Sequence, residues 1–156
     1  MRDFGDLRTC ELLALGRRAL EMGARRFEQL ASAVSPDDQP LRDLLRKMAL
    51  DSDLRAAQVE QQENLHPEDS LLSTTPAEAL TLIHGYLTSL SKHFGEGYLT
   101  RDAALFFSES LEEETSRLFR VLAEHAREWP VNRLFSELAA GEQKNVHYLR
   151  DIVLQY

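Results

Sequence analysis

Apolar residues recur at every third or fourth position through four long segments of this 156-residue chain, and breaks that contain proline or glycine separate the segments. This spacing places the apolar side chains along one face of an α-helix, whereas half-buried strands would need strict alternation. We therefore predict an all-α fold. The predicted bundle helices cover residues of about 6–34, 41–62, 101–127 and 131–154.

The breaks indicate how these helices are connected. The short break at 35–40 contains two prolines, so the first two helices should be antiparallel neighbours, and Trp129-Pro130 indicates the same for the last two. Thr75-Pro76-Ala77-Glu78 combines a capping box with a proline in the first turn. It predicts an extra helix of about 76–94 within the long connection.

An internal repeat relates the two helix pairs. Residues 27–31 align with 119–123 at an offset of 92, and both segments have an aromatic residue followed three and four positions later by Leu-Ala. Residues 44–49 align with 134–139 at an offset of 90. Two amphipathic helices can always be aligned somehow, and that alternative stays open. The matched loop lengths favour a duplicated helical hairpin.

Length, charge and cysteine content limit the classes of protein. We expect one domain over residues 1–156, since a chain of this size buries enough surface for a core. A net charge of −8 argues against a nucleic-acid partner, and the lone Cys10 excludes a disulfide within the chain. No uncharged apolar stretch has the ~20 residues of a membrane helix, and the start does not resemble a secretory signal. We therefore expect no membrane partner and a cytoplasmic location.

These features resemble the rubrerythrin branch of the ferritin-like family, over residues of about 19–59 and 104–152. The resemblance implies a four-helix bundle of two antiparallel pairs with one long crossover. It also implies that each half supplies a Glu seven residues before an aromatic residue, then a Glu-x-x-His on the next helix. In that family the six side chains hold two irons between the helices.

Carried over position by position, the resemblance leaves two of the six ligands. Glu112 and Glu142 stand at ligand positions and are the metal ligands if a site survives. The other ligand positions carry replacements, which are Leu20, Ser52, Arg55 and Asn145. Glu21, Asp51 and His147 lie near ligand positions but off the ligand face, so we interpret them as surface groups.

We therefore expect a degenerate di-iron site, no catalytic residue and no bound cofactor. The predicted function is a non-catalytic binding, regulatory or structural module. An alternative is a remodelled site that binds iron or another divalent metal, in an iron-handling protein or an oxidoreductase that acts on peroxide or dioxygen. A further alternative is an unrelated bundle with an accidental repeat.

Two retained carboxylates in a dry bundle centre require compensation. The planar guanidinium of Arg55 suits this, since it is always charged and can donate to carboxylates. We predict an ion pair from Arg55 to Glu112 or Glu142, with Asn145 and Ser52 completing the hydrogen bonds. We also predict a homodimer, because residues 76–94 carry an apolar stripe beyond the four-helix core.

Overall fold

Four long α-helices form most of the computed structural model, which describes residues 4–66 and 97–155, with the last three described by their backbone alone. A single 3-10 turn at Phe4–Asp6 is followed by α1 (Thr9–Ala33), α2 (Gln39–Asn64), α3 (Arg101–His125) and α4 (Trp129–Gln155). The described part contains no β-strand, which confirms the all-α prediction. The predicted helix at 76–94 lies outside the described residues, and so does the apolar stripe of the predicted homodimer.

Three helices begin two or three residues away from their predicted starts, because residues in or next to the first turn determine where each helix begins. The first helix begins three residues later than predicted, since Glu11 Oε1 accepts hydrogen bonds from the backbone N (3.5 Å) and Nε (3.1 Å) of Arg8. The second begins at Gln39 because an Asp38 carboxylate oxygen accepts from the backbone N of Leu41 at 3.3 Å. Trp129-Pro130 begins α4 instead of preceding it, since the first helical turn needs no proline N–H.

The helices pack as two antiparallel pairs, α1 against α2 and α3 against α4, and the contact between α1 and α3 is more extensive than that between α2 and α4. At one end of the bundle, the backbone N of Leu99 donates to the carbonyl of Ala33 at 2.8 Å, and Arg101 Nε lies 3.2 Å from Asp38 Oδ2. This end therefore contains the last turn of α1 and the first turns of α2 and α3.

The other end of the bundle contains the first turns of α1 and α4 and the last turns of α2 and α3. The ring of Phe4 stacks on that of His125 with centroids 5.8 Å apart, and His66 Nε2 lies 3.3 Å from Glu128 Oε2. Because α2 ends here and α3 begins at the opposite end, these two helices run in the same direction. Residues 66 and 97, which flank the long connection, accordingly lie at opposite ends of the bundle.

Burial repeats between the two hairpins at the offsets found in the sequence. All seven buried residues of α2 fall on buried residues of α4 at an offset of 90, from Leu41 over Val131 to Val59 over Leu149. At an offset of 92, the buried Phe27, Leu30 and Ala31 fall on a buried aromatic, leucine and alanine of α3. The two hairpins therefore bury equivalent faces.

The core divides into two apolar clusters along the bundle. Leu20, Ala56, Leu118 and Ala139 belong to one cluster, and α1, α2, α3 and α4 contribute Phe27, Ala49, Leu111 and Leu149 to the other. Each helix thus passes from one cluster to the other near its middle. None of the described helices is both long and apolar enough to cross a membrane.

Candidate functional site

A polar layer separates the two apolar clusters at the middle of the bundle. We call it the central layer; it consists of Ser52, Arg55, Glu112, Glu142 and Asn145. Ser52, Glu112 and Glu142 are buried with 4%, 2% and 1% of their surface exposed. These five are ligand positions of the family resemblance, and contacts join four of them in two pairs, Arg55 with Glu142 and Asn145 with Glu112. The sixth, Leu20, is buried in the adjacent apolar cluster.

An ion pair between α2 and α4 is the strongest contact of the central layer. Arg55 Nη1 donates to Glu142 Oε1 at 2.6 Å, and the two side chains are only 20% and 2% exposed. The predicted pair is therefore present, with Glu142 as the acceptor. The pair thus joins α2 and α4, which contact each other less than the other neighbouring helices do.

The second carboxylate of the layer has a weaker, neutral donor. Asn145 Nδ2 donates to Glu112 Oε2 at 3.4 Å, near the upper limit for a hydrogen bond. The prediction for Asn145 is thus confirmed, but that for Ser52 is wrong: among the described residues its hydroxyl donates to neither glutamate. Ser52 is the short counterpart of Glu142 in the repeat, so its hydroxyl does not extend as far into the layer.

Burial raises the pKa of Glu142 from an ordinary 4.5 to about 7, despite the neighbouring guanidinium. Removal from water disfavours the charged carboxylate most, the positive charge and hydrogen bond of Arg55 oppose this, and the negative charge of Asp51 raises the pKa further. Arg55 therefore compensates the buried charge only partly. At neutral pH, both the protonated and the ionised forms of Glu142 are therefore populated.

Two buried polar residues follow Glu112 by about one turn of α3, and the sequence analysis did not identify them. Thr115 Oγ1 donates to the carbonyl of Leu111 at 2.8 Å, and Ser116 Oγ donates across to the carbonyl of Ala139 at 3.0 Å. Both hydroxyls are buried and satisfied by backbone. The repeat could have indicated that they are buried, since Thr115 and Ser116 correspond to the buried Gly23 and Ala24 of α1.

Gly141 lies beside the ion pair, and the sequence analysis did not identify it either. A Cβ built on Gly141 would lie 3.6 Å from Arg55 Nη2, so the guanidinium packs against the bare backbone of α4. In the repeat, Gly141 corresponds to Asp51 on α2. Gly141 therefore presents no side chain toward Arg55, and a Cβ there would meet the guanidinium at an ordinary van der Waals distance.

Glu21, Asp51 and His147, which the sequence analysis interpreted as surface groups, differ in their surroundings. Glu21 pairs with Arg17 at 3.0 Å and is 40% exposed, and His147 is exposed, in line with the surface interpretation. Asp51 departs from it, because it is half-buried and close enough to influence the carboxylate of Glu142.

The residues of the central layer do not fit a pair of divalent metal ions. One carboxylate is occupied by a guanidinium, the other faces an amide, and the fixed charge of Arg55 would oppose a cation between them. Across the described ranges, 4–66 and 97–155, no group of three or more His, Cys, Asp or Glu side chains is arranged to bind a metal.

The chain was compared with protein-family models, with curated proteins and with solved structures, and none of them matches it.

Proposed function

We propose that this chain is a ferritin-like four-helix bundle of the rubrerythrin type, in which an internal ion pair stands at the position of the di-iron centre. On this account it is a non-catalytic binding, regulatory or structural module. The observation that supports the proposal most directly is the 2.6 Å contact between Arg55 Nη1 and Glu142 Oε1. It joins two positions that the resemblance assigns to metal ligands.

The path of the chain also supports a ferritin-like bundle. Two antiparallel hairpins with equivalent buried faces are joined by a connection whose flanking residues, 66 and 97, lie at opposite ends of the bundle. A helix of 25 residues is roughly 38 Å long, so the connection joins points about that far apart. One long crossover between two antiparallel pairs is the arrangement that the resemblance implies.

The chemistry of the layer supports a non-catalytic role. A di-iron enzyme needs several carboxylates and imidazoles with an open coordination position. The central layer instead pairs its carboxylates with Arg55 and Asn145. No described histidine belongs to it, because His66 and His125 lie at one end of the bundle and His147 is exposed.

Metal analysis tests the proposal. The protein is expressed in iron-supplemented medium, purified without chelators, and measured for iron, manganese and zinc per folded chain and for turnover of peroxide and dioxygen. We expect well below one metal per chain and no turnover above buffer. Glu142→Gln should give the same trace content as the unmodified chain. A stoichiometry of about two irons per chain, lost in Glu142→Gln, would overturn the proposal in favour of an oxidoreductase or iron-handling protein.

A further inference from the structure

We propose that the inner face of the α3–α4 hairpin is a recognition surface for the α1–α2 hairpin, that Arg55 determines this choice of partner, and that the recognition does not require the covalent connection between the hairpins. The proposal concerns assembly and does not depend on the function proposed above.

The charge distribution of the central layer is unequal between the hairpins. Both buried carboxylates, Glu112 and Glu142, belong to α3–α4, whereas the only cation of the layer, Arg55, belongs to α1–α2. Each hairpin thus presents an apolar face whose buried central group has the opposite charge, although the half-buried Asp51 beside Glu142 partly offsets the positive charge of α1–α2. Complementary charges within apolar surroundings favour the correct partner and its register.

Shape alone would not select the partner. The buried positions of α2 and α4 correspond one to one, and the five buried positions of the second half of α1 all fall on buried positions of α3. Leu118 of α3 is an additional buried residue, since its counterpart Arg26 is only half-buried. An α3–α4 hairpin could therefore match the apolar pattern of a copy of itself. Such a pair would bring two copies of Glu112 and of Glu142 into one dry layer with no cation, and burying like charges together is strongly unfavourable.

The contact surface of Arg55 on α4 is specific to this pairing. Its guanidinium lies beside the bare backbone at Gly141 and donates to Glu142. In a pair of two α3–α4 hairpins, the position of Arg55 would be taken by Asn145, a neutral side chain that cannot compensate the charge. Where Glu142 is ionised, the α3–α4 face therefore favours a partner with a cation at this position.

Cleavage of the intact, folded chain tests this inference. A ten-residue Gly/Ser loop with a protease site is inserted between Ser73 and Thr74, the purified protein is cut, and native mass spectrometry and dilution series at pH 8.5 measure the association of the two fragments. We expect the cut wild-type chain to stay a one-to-one complex of the two different fragments. Complexes that contain two copies of the fragment with α3 and α4 should be absent.

Charge variants determine whether Arg55 sets the choice of partner. Arg55→Glu should raise the dissociation constant of the cut complex roughly 100-fold or more, and the swap Arg55→Glu with Glu142→Arg should recover most of the loss. If Arg55→Glu does not fold, the swapped variant still gives the answer through its recovery. The inference is overturned by cut wild-type fragments that separate, by complexes with two α3–α4 hairpins, or by an Arg55→Glu complex as tight as the wild type. A swapped variant that folds yet fails to recover association would also contradict it.

Discussion

Arg55 on α2 and Glu142 on α4 form an ion pair of 2.6 Å across the centre of the bundle, and the pKa of Glu142 is nevertheless raised to about 7. The pair thus compensates the cost of burying the carboxylate without cancelling it. This balance gives the stability of the protein a pH dependence that can be measured.

The first prediction concerns the loss of Arg55. At pH 9, where Glu142 is ionised, Arg55→Ala should lower the free energy of unfolding by roughly 3–5 kcal/mol, since it leaves a buried charge without its partner. At pH 6, Glu142 holds a proton, so the loss should fall to about 1 kcal/mol, the value of one hydrogen bond. Urea denaturation at both pH values measures the difference.

Two controls accompany this comparison. Arg133→Ala removes an exposed pair with Glu137 and should change stability by less than about 0.5 kcal/mol at either pH. Adding Glu142→Gln to Arg55→Ala should recover part of the loss at pH 9. An equal loss for Arg55→Ala at pH 6 and pH 9 would show that Glu142 does not titrate in this range.

The second prediction concerns Glu142 itself. Its pKa is about 7 in the folded state and ordinarily 4.5, so the folded state holds this proton more tightly than the unfolded state. The resulting stabilisation is complete below pH 4.5 and is lost as the pH rises to about 7. It amounts to roughly 3 kcal/mol.

Glu142→Gln removes this titration and is therefore the reference. The difference in unfolding free energy between the wild type and Glu142→Gln should move against the wild type as the pH rises from 4.5 to 8, and then level off. A difference that stays constant over this range, or one that moves in favour of the wild type, would contradict a raised pKa.

The third prediction compares two helical glycines. A Cβ on Gly16 would lie 3.0 Å from a Phe135 ring carbon and 3.1 Å from one of Phe119, and both rings are fully buried. Gly16→Ala should therefore destabilise by roughly 1–3 kcal/mol through overpacking. Gly141→Ala meets only ordinary contacts with Arg55 and should stabilise by about 1 kcal/mol, because alanine favours a helix.

Thermal and urea denaturation of both variants measure this contrast at a pH where Glu142 is fully ionised. The same substitution thus gives opposite signs at two helix positions. If Gly16→Ala is as stable as the wild type, the rings of Phe119 and Phe135 can shift to accommodate the added methyl group at little cost. A destabilised Gly141→Ala would mean that Arg55 needs more room beside α4 than the structure indicates.

The sequence predicted the helices well because their apolar periodicity and loop residues are strong local signals. The all-α fold follows from apolar periodicity. The Arg55 ion pair follows from the family resemblance, which implies that Arg55 and Glu142 stand at inward-facing ligand positions. The predicted helix starts were less accurate. The cap at Asp38 and the position of Pro130 inside the first turn each move a helix start by two residues.

Other features of the site depended on three-dimensional proximity. The choice of Glu142 over Glu112 as the partner of Arg55 requires knowing which side chain reaches across between α2 and α4. The influence of Asp51 on Glu142 and the open position at Gly141 likewise arise between helices. No pattern along one helix reports these distances.

We propose that the central layer is a di-metal site whose ligands have been replaced, and restoring the ligands tests this proposal most directly. The variant combines Leu20→Glu, Ser52→Glu, Arg55→His and Asn145→His, and its uptake of Co²⁺ is measured by equilibrium dialysis and visible absorption beside the wild type. The account predicts about two ions per folded chain for the variant, none retained by the wild type, and loss of binding when Glu142→Gln is added. A variant that remains helical and folded yet binds no more Co²⁺ than the wild type would contradict it.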